Sequence, residues 1–252
     1  MKDYIAISKN SKEILNSAHL LQSVEVNALI SGEAGVGKKS LSQYIVPNAP
    51  VFKAKSLQQD IIDNVIDLKD CSIIIDKIEN ITNIDLLINW INENSIRVIA
   101  TTLKEELNSK IGEQFSITIE LPPLKDREED VKALTAKFSK EASTTLDLEQ
   151  IIPSKLMINI SNNAHSLRKS IYFSYLFETI GEDEILMFME NYMFSNMQGE
   201  DSYKDFLYLL EVPILKAASK KYKSQVQMAK HLGLNRITLR KKLDLHKDFL
   251  ND

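Results

Sequence analysis

A glycine-rich loop near the start of the chain lies between an apolar run and a polar segment. The loop is Gly32-Glu33-Ala34-Gly35-Val36-Gly37-Lys38-Lys39, and it directly follows Asn27-Ala28-Leu29-Ile30-Ser31. The apolar run is typical of a strand, and residues 40–45 can continue as a helix. In this order of elements, backbone N–H groups and the positive helix end surround a phosphate, and Lys38 reaches its outer oxygens. The N-terminal part is therefore expected to fold as an α/β unit around this loop.

The residue after the loop lysine departs from the usual phosphate loop. A Ser or Thr normally follows the lysine and binds magnesium, whereas this chain has Lys39, with Ser40 one position later. A loop that keeps its fold but binds no ligand is therefore an open alternative.

Apolar runs and helical segments alternate through the first half of the chain. Strands are predicted near 27–31, 51–54, 72–76, 96–101 and 117–121, which is the βαβ rhythm of a parallel sheet. Helices are predicted from Arg127 onward, where Leu167, Ile171 and Tyr175 recur at helical spacing. The polar segment 195–201 is the best linker candidate.

Residues 225–243 predict two short helices separated by Gly233, the pattern of a helix-turn-helix. Ala229 is small where the two helices approach each other, and the second helix is strongly basic. From Lys216 to Lys247 there are ten basic residues and one acid, a local charge of +9 in a chain whose net charge is −4. The rest of the chain then has a net charge of −4 − 9 = −13. Positive charge is therefore concentrated at the C-terminal end, as is typical of a surface that contacts nucleic acid.

Several segments resemble known families. The loop, Ser72–Asp76, Ile96–Thr102, Leu121–Val131 and Asn163–Arg168 resemble, in this order, the NtrC-type AAA+ domain that activates sigma-54. Asn235-Arg236 and Thr238–Leu243 resemble the DNA-binding unit of the Fis family. The resemblance implies an α/β fold, an AAA+ P-loop parallel sheet with a helical lid, plus an all-α Fis-type helix-turn-helix domain. The implied bounds are 1–125 for the core, 126–195 for the lid and 202–252 for the DNA-binding domain.

The resemblance also implies ATP or ADP with magnesium as ligand, and no separate metal site. The implied nucleotide-binding residues are Gly32, Gly35, Val36, Gly37, Lys38, Lys39, Ser40, Asp76, His165 and Arg168.

Catalytic positions of the family are altered in this chain. The glutamate that polarises water after the Walker B aspartate is replaced by Lys77, with Glu79 two residues later, and His165 replaces the second-sensor arginine. No arginine lies between Arg97 and Arg127, where the family has its arginine finger. The loop that touches sigma-54 is also missing, because 51–70 is short and contains no glycine. We therefore expect no hydrolysis, no enzyme function and no engagement of sigma-54.

The predicted second helix of the helix-turn-helix carries the candidate DNA contacts. Base reading is expected of Asn235, Thr238 and Arg240, and phosphate contact of Lys241, Lys242 and Lys223. The complete predicted set is Lys223, Gln225, Asn235, Arg236, Thr238, Arg240, Lys241 and Lys242. Double-stranded DNA is therefore the expected partner, and an apolar stripe over 203–218 predicts a homodimer through the C-terminal domain.

The sequence thus favours a bacterial transcription regulator that binds DNA and holds nucleotide without hydrolysing it. A single cysteine, Cys71, and the lack of a signal peptide or a long apolar run predict the cytoplasm and no membrane contact. Two alternatives stay open: a working ATPase that remodels a transcription partner, and an adaptor that docks another protein.

Overall fold

A parallel sheet forms the centre of the computed structural model, which describes residues 4–103, 107–149 and 152–250. The strands are β1 (Ala28–Ser31), β2 (Val51–Lys53), β3 (Ser72–Asp76), β4 (Arg97–Thr101) and β5 (Ile117–Glu120), in the spatial order β2-β3-β4-β1-β5. All four pairings are parallel, and Ile74 of β3 lies opposite Ile99 of β4. The five predicted strands and the parallel sheet are confirmed.

The sheet is buried on both faces, which explains why its central strands are continuous apolar runs rather than alternating ones. Ile73 and Ile75 point into one core, together with Val98 and Ala100. Ile74 and Ile99 point into the other core, packed with Ile30 and with helices on that side. The strand order places β1 between β4 and β5, so the loop after β1 opens at the carboxyl edge of the sheet beside the ends of β3 and β4.

Helices cover the sheet and form the second half of the chain. Those between and before the strands are α1 (Lys9–Ser23), α2 (Lys38–Ile45), α3 (Ala54–Ile62), α4 (Ile84–Glu93) and α5 (Ser109–Gly112). Those after the sheet are α6 (Glu128–Thr145), α7 (Asn163–Phe177), α8 (Glu182–Asn196), α9 (Ser202–Lys221), α10 (Gln225–His231), α11 (Arg236–Leu245) and α12 (Lys247–Leu250). Short 3-10 turns span Ile78–Asn80 and Leu124–Asp126.

The helices α6 and α7 pack on each other through a separate apolar cluster. Leu167, Ile171 and Tyr175 are all buried in it, facing Phe138 and Ala142 of α6. The spacing of these α7 residues puts one apolar stripe on one helix face, as the sequence pattern indicates.

The chain divides into two compact units after Thr179, whereas the boundary predicted from the sequence follows residue 195. The difference concerns α8, which groups with the C-terminal unit and buries none of its residues. In that unit, Leu215 and Ala218 of α9 pack against Met228, Ala229 and Leu239 from α10 and α11. None of the helices in the described part of the chain combines the length and the hydropathy that a bilayer crossing requires.

Candidate functional site

The loop after β1 has the backbone of a phosphate-binding loop. Gly35 and Gly37 have positive φ angles of 77° and 106°, and Gly37 is the residue before the first turn of α2. Positive φ at glycines is typical of loops whose backbone N–H groups surround an anion. A side chain at Gly35 would also lie 2.8 Å from the carbonyl oxygen of Asn162 and 2.8 Å from the ring of His165. The loop is therefore packed tightly against the start of α7.

Lys38 is folded back onto its own loop. Its Nζ donates to the carbonyl oxygens of Gly32 and Glu33, both at 2.6 Å, and the residue is 8% exposed. Burial lowers the pKa of Lys38, and the carboxylates of Glu79 and Asp76 oppose this shift. Two of the three N–H donors of the ammonium are thus used by loop carbonyls, and binding a phosphate requires Lys38 to exchange these bonds for phosphate oxygens.

A cavity of about 430 Å³ opens beside the loop, and we call it the loop cavity. Most of the residues predicted to bind nucleotide line it. The lining residues are Ala34, Gly35, Gly37, Lys38, Lys39, Ser40, Asp76, Lys77, Leu103, Ala164 and His165. The two other predicted loop residues act differently: Gly32 supplies a carbonyl to Lys38, and Val36 packs its side chain into the core.

Asp76 is held at the end of β3 by its neighbour on β4. Its Oδ1 accepts a hydrogen bond of 2.7 Å from the hydroxyl of Thr101, and the same hydroxyl oxygen accepts one of 3.1 Å from the backbone N–H of Lys77. The carboxylate is thereby oriented at the carboxyl edge of the sheet, where the loop cavity lies. Asp76 thus lines the loop cavity together with Lys38.

Arg168 lies in an ion pair within the helical region. Its guanidinium pairs with Glu141 of α6 and lies over the ring of Tyr172. This pairing raises the pKa of Arg168, with the Glu141 hydrogen bond as the main cause. The sequence predicted that Arg168 would contact a phosphate, but in the structure its charge is used one turn away from His165 to link α6 and α7.

Two residues for which the sequence predicted no role of their own contact the loop from neighbouring segments. Asn163 accepts from the backbone N–H of Leu124 at 2.7 Å and donates to the carboxylate of Glu33 at 2.9 Å and to the carbonyl of Ala34 at 3.0 Å. Arg127 is 2% exposed and donates to the carbonyl oxygen of Val36 at 2.9 Å. Arg127 and Asn163 each lie in one of the segments that resemble the AAA+ family. Nothing else in the sequence indicates these contacts, because they join segments far apart in the chain.

The basic end of the chain forms two short helices with a tight turn. Gly233 has φ 65° between α10 and α11, a left-handed conformation that a glycine adopts without strain. The side chain of Asn235 accepts from the backbone N–H of Thr238 at 2.8 Å, so it caps the start of α11. Five predicted DNA contacts are exposed, namely Lys223 and Gln225 at the start of α10 and Arg236, Arg240 and Lys241 on α11, while Thr238 is half-buried.

Lys242 differs from the other basic residues of α11 because it has an internal partner. Its Nζ pairs with the carboxylate of Glu211 on α9, which also accepts from Nε2 of His246 at 2.8 Å. The Lys242 hydrogen bond is the main reason why the pKa of Glu211 is lowered, followed by that of His246. The structure therefore uses Lys242 to fasten α11 to α9.

Comparison with solved structures places this geometry among known folds. The structure is similar to NtrX from Brucella abortus in complex with ATP, with a TM-score of 0.60 and 12% identity over 96% of this chain and 68% of that chain. For NtrX in complex with ADP the TM-score is 0.57 and the identity 14%, over 96% of this chain and 69% of that chain.

Sequence comparison gives a narrower match. A limonene hydroxylase from Geobacillus stearothermophilus is 32% identical over 168 residues, which cover 59% of this chain. The chain spans 31% of the length of that relative. No protein-family profile matches the chain. The parallel sheet and the helices that follow it share the fold of these NtrX structures.

Proposed function

We propose that the chain is a DNA-binding transcription regulator of the bacterial cytoplasm whose AAA+ core binds ATP or ADP as a conformational ligand. The observation that carries the proposal is the exposed basic face of α11 beside the Gly233 turn. Arg236, Arg240 and Lys241 are exposed there, within a stretch of charge +9 in a chain of net charge −4. A helix of this kind fits the major groove of DNA, and the acidic remainder of the chain disfavours unspecific contacts.

The exposure and the internal contacts of the α11 residues indicate which of them contact DNA and which support the helix. Arg240 is exposed and has the planar donor pattern that reads guanine, so we assign it to base reading. Lys241 and Lys223 are exposed and suit phosphates, which are contacted by point charges. Asn235 uses its side-chain oxygen for the helix cap, and Lys242 uses its charge for Glu211. In this proposal those two residues support the reading helix and leave the DNA contacts to their neighbours.

Nucleotide binding is supported by the loop cavity and by the similar fold of NtrX, which was crystallised with ATP and with ADP. The donor set fits the ligand: loop N–H groups and Lys38 face phosphates, and His165 lies against the loop at Gly35. Asp76 and Ser40 line the same cavity and offer the oxygen ligands that magnesium prefers. The hydroxylase activity of the curated relative is not carried over, because the match covers only 31% of that protein.

The proposed core is a switch rather than a motor. Lys77 is exposed and offers no carboxylate, and the sequence between Arg97 and Arg127 contains no arginine that could reach a neighbouring subunit's phosphate. Loss of such an arginine commonly lowers phosphoryl transfer by about 10³-fold or more. Residues 51–70 contain no glycine and are too few to hold the family's sigma-54 loop. We therefore propose that the chain does not activate sigma-54.

A homodimer through the C-terminal unit completes the proposal. Leu210 and Ile214 of α9 are exposed by 54% and 42%, and Tyr203 by 80%. An apolar helix face of this length fits a second copy of the same helix, which places two reading helices about 34 Å apart on a palindromic site.

Selection of binding sites from random DNA tests the proposal. The purified chain is expected to enrich a palindrome, and Arg240→Ala is expected to lower specific affinity by about 1–3 kcal/mol while leaving binding to unrelated DNA nearly unchanged. Equal losses on specific and unrelated DNA would remove the base-reading role of Arg240. Failure to enrich any sequence, with all DNA bound alike, would favour the adaptor alternative.

A further inference from the structure

Three lysines line the loop cavity and concentrate positive charge there. Lys38 is the loop lysine, Lys39 is the second residue of α2, and Lys77 directly follows Asp76 at the end of β3. Lys39 and Lys77 are exposed, and none of the ion pairs formed by the described residues involves either side chain. Both ammonium groups are therefore available to a ligand in the cavity.

Negative charge is scarce in the same cavity. Among the described residues that line it, Asp76 alone has a carboxylate. Glu33 and Glu79 do not line the cavity, and their carboxylates accept hydrogen bonds from the Asn163 side chain and from the backbone N–H of Leu103. The lining side chains therefore have three positive charges and one negative charge, a net charge of +2 when the histidine is neutral.

The lysines of the cavity are close enough to affect one another. Burial is the main reason why the pKa of Lys38 is lowered; Glu79 and Asp76 oppose this shift, and the charge of Lys77 adds to it. Repulsion between ammonium groups is relieved when an anion binds between them. The loop cavity therefore favours a ligand of high negative charge density, such as the phosphates of ATP or ADP.

The two additional lysines lie where a nucleotide site ordinarily supports magnesium. The metal neutralises phosphate oxygens and is held by the Ser or Thr that follows the loop lysine. In this chain Lys39 has that position, and Lys77 adjoins the aspartate of β3. A divalent cation in the cavity is repelled by these ammonium groups at short range, and the ammonium groups compete with it for the same phosphate oxygens.

We propose that Lys39 and Lys77 supply the counter-charge that magnesium supplies elsewhere, so that the chain binds metal-free ATP at least as tightly as Mg-ATP. The inference rests on the proposed nucleotide binding and narrows its ligand to the metal-free nucleotide. Ser40 and Asp76 still line the cavity with oxygen atoms, but nucleotide affinity does not depend on a metal bound to them. The site then responds to the concentration of nucleotide and not to that of magnesium.

Calorimetric titration of ATP into the full chain tests the proposal in two buffers of equal ionic strength, one with excess EDTA and one with excess magnesium. We expect the unchanged chain to bind ATP at least as tightly in EDTA as in magnesium.

A double variant tests the two lysines directly. Lys39→Gln combined with Lys77→Gln removes both ammonium groups from exposed positions. Metal-free ATP should then bind at least about tenfold more weakly, because charge-assisted hydrogen bonds are lost, whereas the affinity for Mg-ATP should fall much less. Lys12→Gln combined with Lys55→Gln makes the same chemical change at exposed positions of α1 and α3 outside the cavity and serves as the control.

The outcomes separate this inference from the function on which it rests. ATP that binds the unchanged chain more tightly in magnesium than in EDTA overturns the inference and leaves nucleotide binding in place. Equal losses of affinity in the two buffers for the double variant also overturn it, because the lysines would then not replace the metal. Absence of ATP binding in both buffers refutes nucleotide binding itself, and the inference with it.

Discussion

At the scale of single residues, the loop is held by buried charges that also tie it to the start of the chain. Arg127 donates to the carbonyl of Val36 and lies 3.7 Å from the carboxylate of Asp130. Asp130 is 1% exposed and accepts from the backbone N–H groups of Ile7 and Ser8 at 2.6 and 2.9 Å. The hydroxyl of Ser11 donates to the same carboxylate. One aspartate thus joins the segment before α1 to the residue that supports the loop.

Asp130→Asn is expected to destabilise the fold. The amide replaces one acceptor oxygen by a donor that faces N–H groups, and it leaves Arg127 without its counter-charge. Breaking a buried charge network of this kind costs about 3 kcal/mol. Urea unfolding measures the loss, with Asp126→Asn as an exposed control on the preceding turn. A loss no larger than that of the control would contradict the role assigned to Asp130.

The same carboxylate predicts how stability depends on pH. Burial by itself raises the pKa of Asp130, but the hydrogen bonds from Ser11, Ser8 and Ile7 and the charge of Arg127 outweigh it, and the pKa is lowered from the ordinary 3.8. A lowered folded-state pKa means that the stabilisation is complete above the unfolded-state value and is lost as the pH falls through the folded-state value. Unfolding free energies measured below pH 4 should therefore fall more steeply for the unchanged chain than for Asp130→Asn.

Lys38→Ala is expected to abolish measurable ATP binding while leaving the fold intact. In the proposed complex the ammonium is the main side-chain charge that meets the phosphates, whereas in the structure it donates two hydrogen bonds to carbonyl oxygens of its own loop. Calorimetric titration with Mg-ATP measures the effect, and Lys55→Ala, an exposed lysine on α3, is the matched control. Retained binding in Lys38→Ala would show that nucleotide does not use this loop.

At the scale of elements, α11 is fastened at its start and at its end. Asn235 caps the first turn, and Lys242 and His246 reach Glu211 on α9 from the last turns. Leu239 packs between these points and is 1% exposed. The exposed side chains Arg236, Arg240 and Lys241 are thereby presented on a helix that cannot rotate about its axis without breaking these contacts.

Two adjacent lysines of α11 should differ in how they affect the salt dependence of DNA binding. Each lost phosphate contact lowers the slope of log affinity against log salt concentration by about 0.9. Lys241 is exposed, whereas Lys242 is paired with Glu211. Lys241→Ala should therefore lower the slope by about 0.9, and Lys242→Ala should leave it nearly unchanged while lowering the melting temperature. Equal changes in slope would mean that Lys242 leaves Glu211 when DNA binds.

At the scale of the whole molecule, charge and apolar surface are distributed unevenly along the chain. The stretch from Lys216 to Lys247 carries +9, and the remaining residues carry −13. The apolar face of α9 lies in the same unit as the basic stretch, so self-association and DNA binding are linked in the proposal. A dimer doubles the basic charge that meets the DNA, and the acidic remainder stays repelled from it.

Leu210→Glu should disrupt this self-association. A charge on the exposed apolar face of α9 must be desolvated when two copies pack, which is costly without a partner. We expect the unchanged chain to sediment as a dimer and Leu210→Glu as a monomer of 28.7 kDa. Val65→Glu places the same charge on an exposed apolar position of the other unit and should leave the dimer intact. A dimer that survives Leu210→Glu would move the interface elsewhere.

The glycine loop, the five strands and the two short helices around Gly233 could be predicted from the sequence alone. Each depends on residues close together in the chain: the glycines that permit positive φ, the apolar run of β3, and the Gly233 turn. Local conformation and burial pattern act over a few residues, so they can be read along the sequence. The βαβ rhythm predicted a parallel sheet, and the strand order β2-β3-β4-β1-β5 became known from the structure.

The partners of several charged side chains could be read only from the folded structure. Arg168 meets Glu141, Lys242 meets Glu211 and Glu79 meets the N–H of Leu103, across 27, 31 and 24 residues of sequence. No periodicity encodes such pairs, because they depend on how elements dock and on which carboxylate happens to be in reach. For the same reason, nothing in the sequence indicated that the carboxylate of Glu79 accepts a hydrogen bond from the backbone N–H of Leu103, directly after β4.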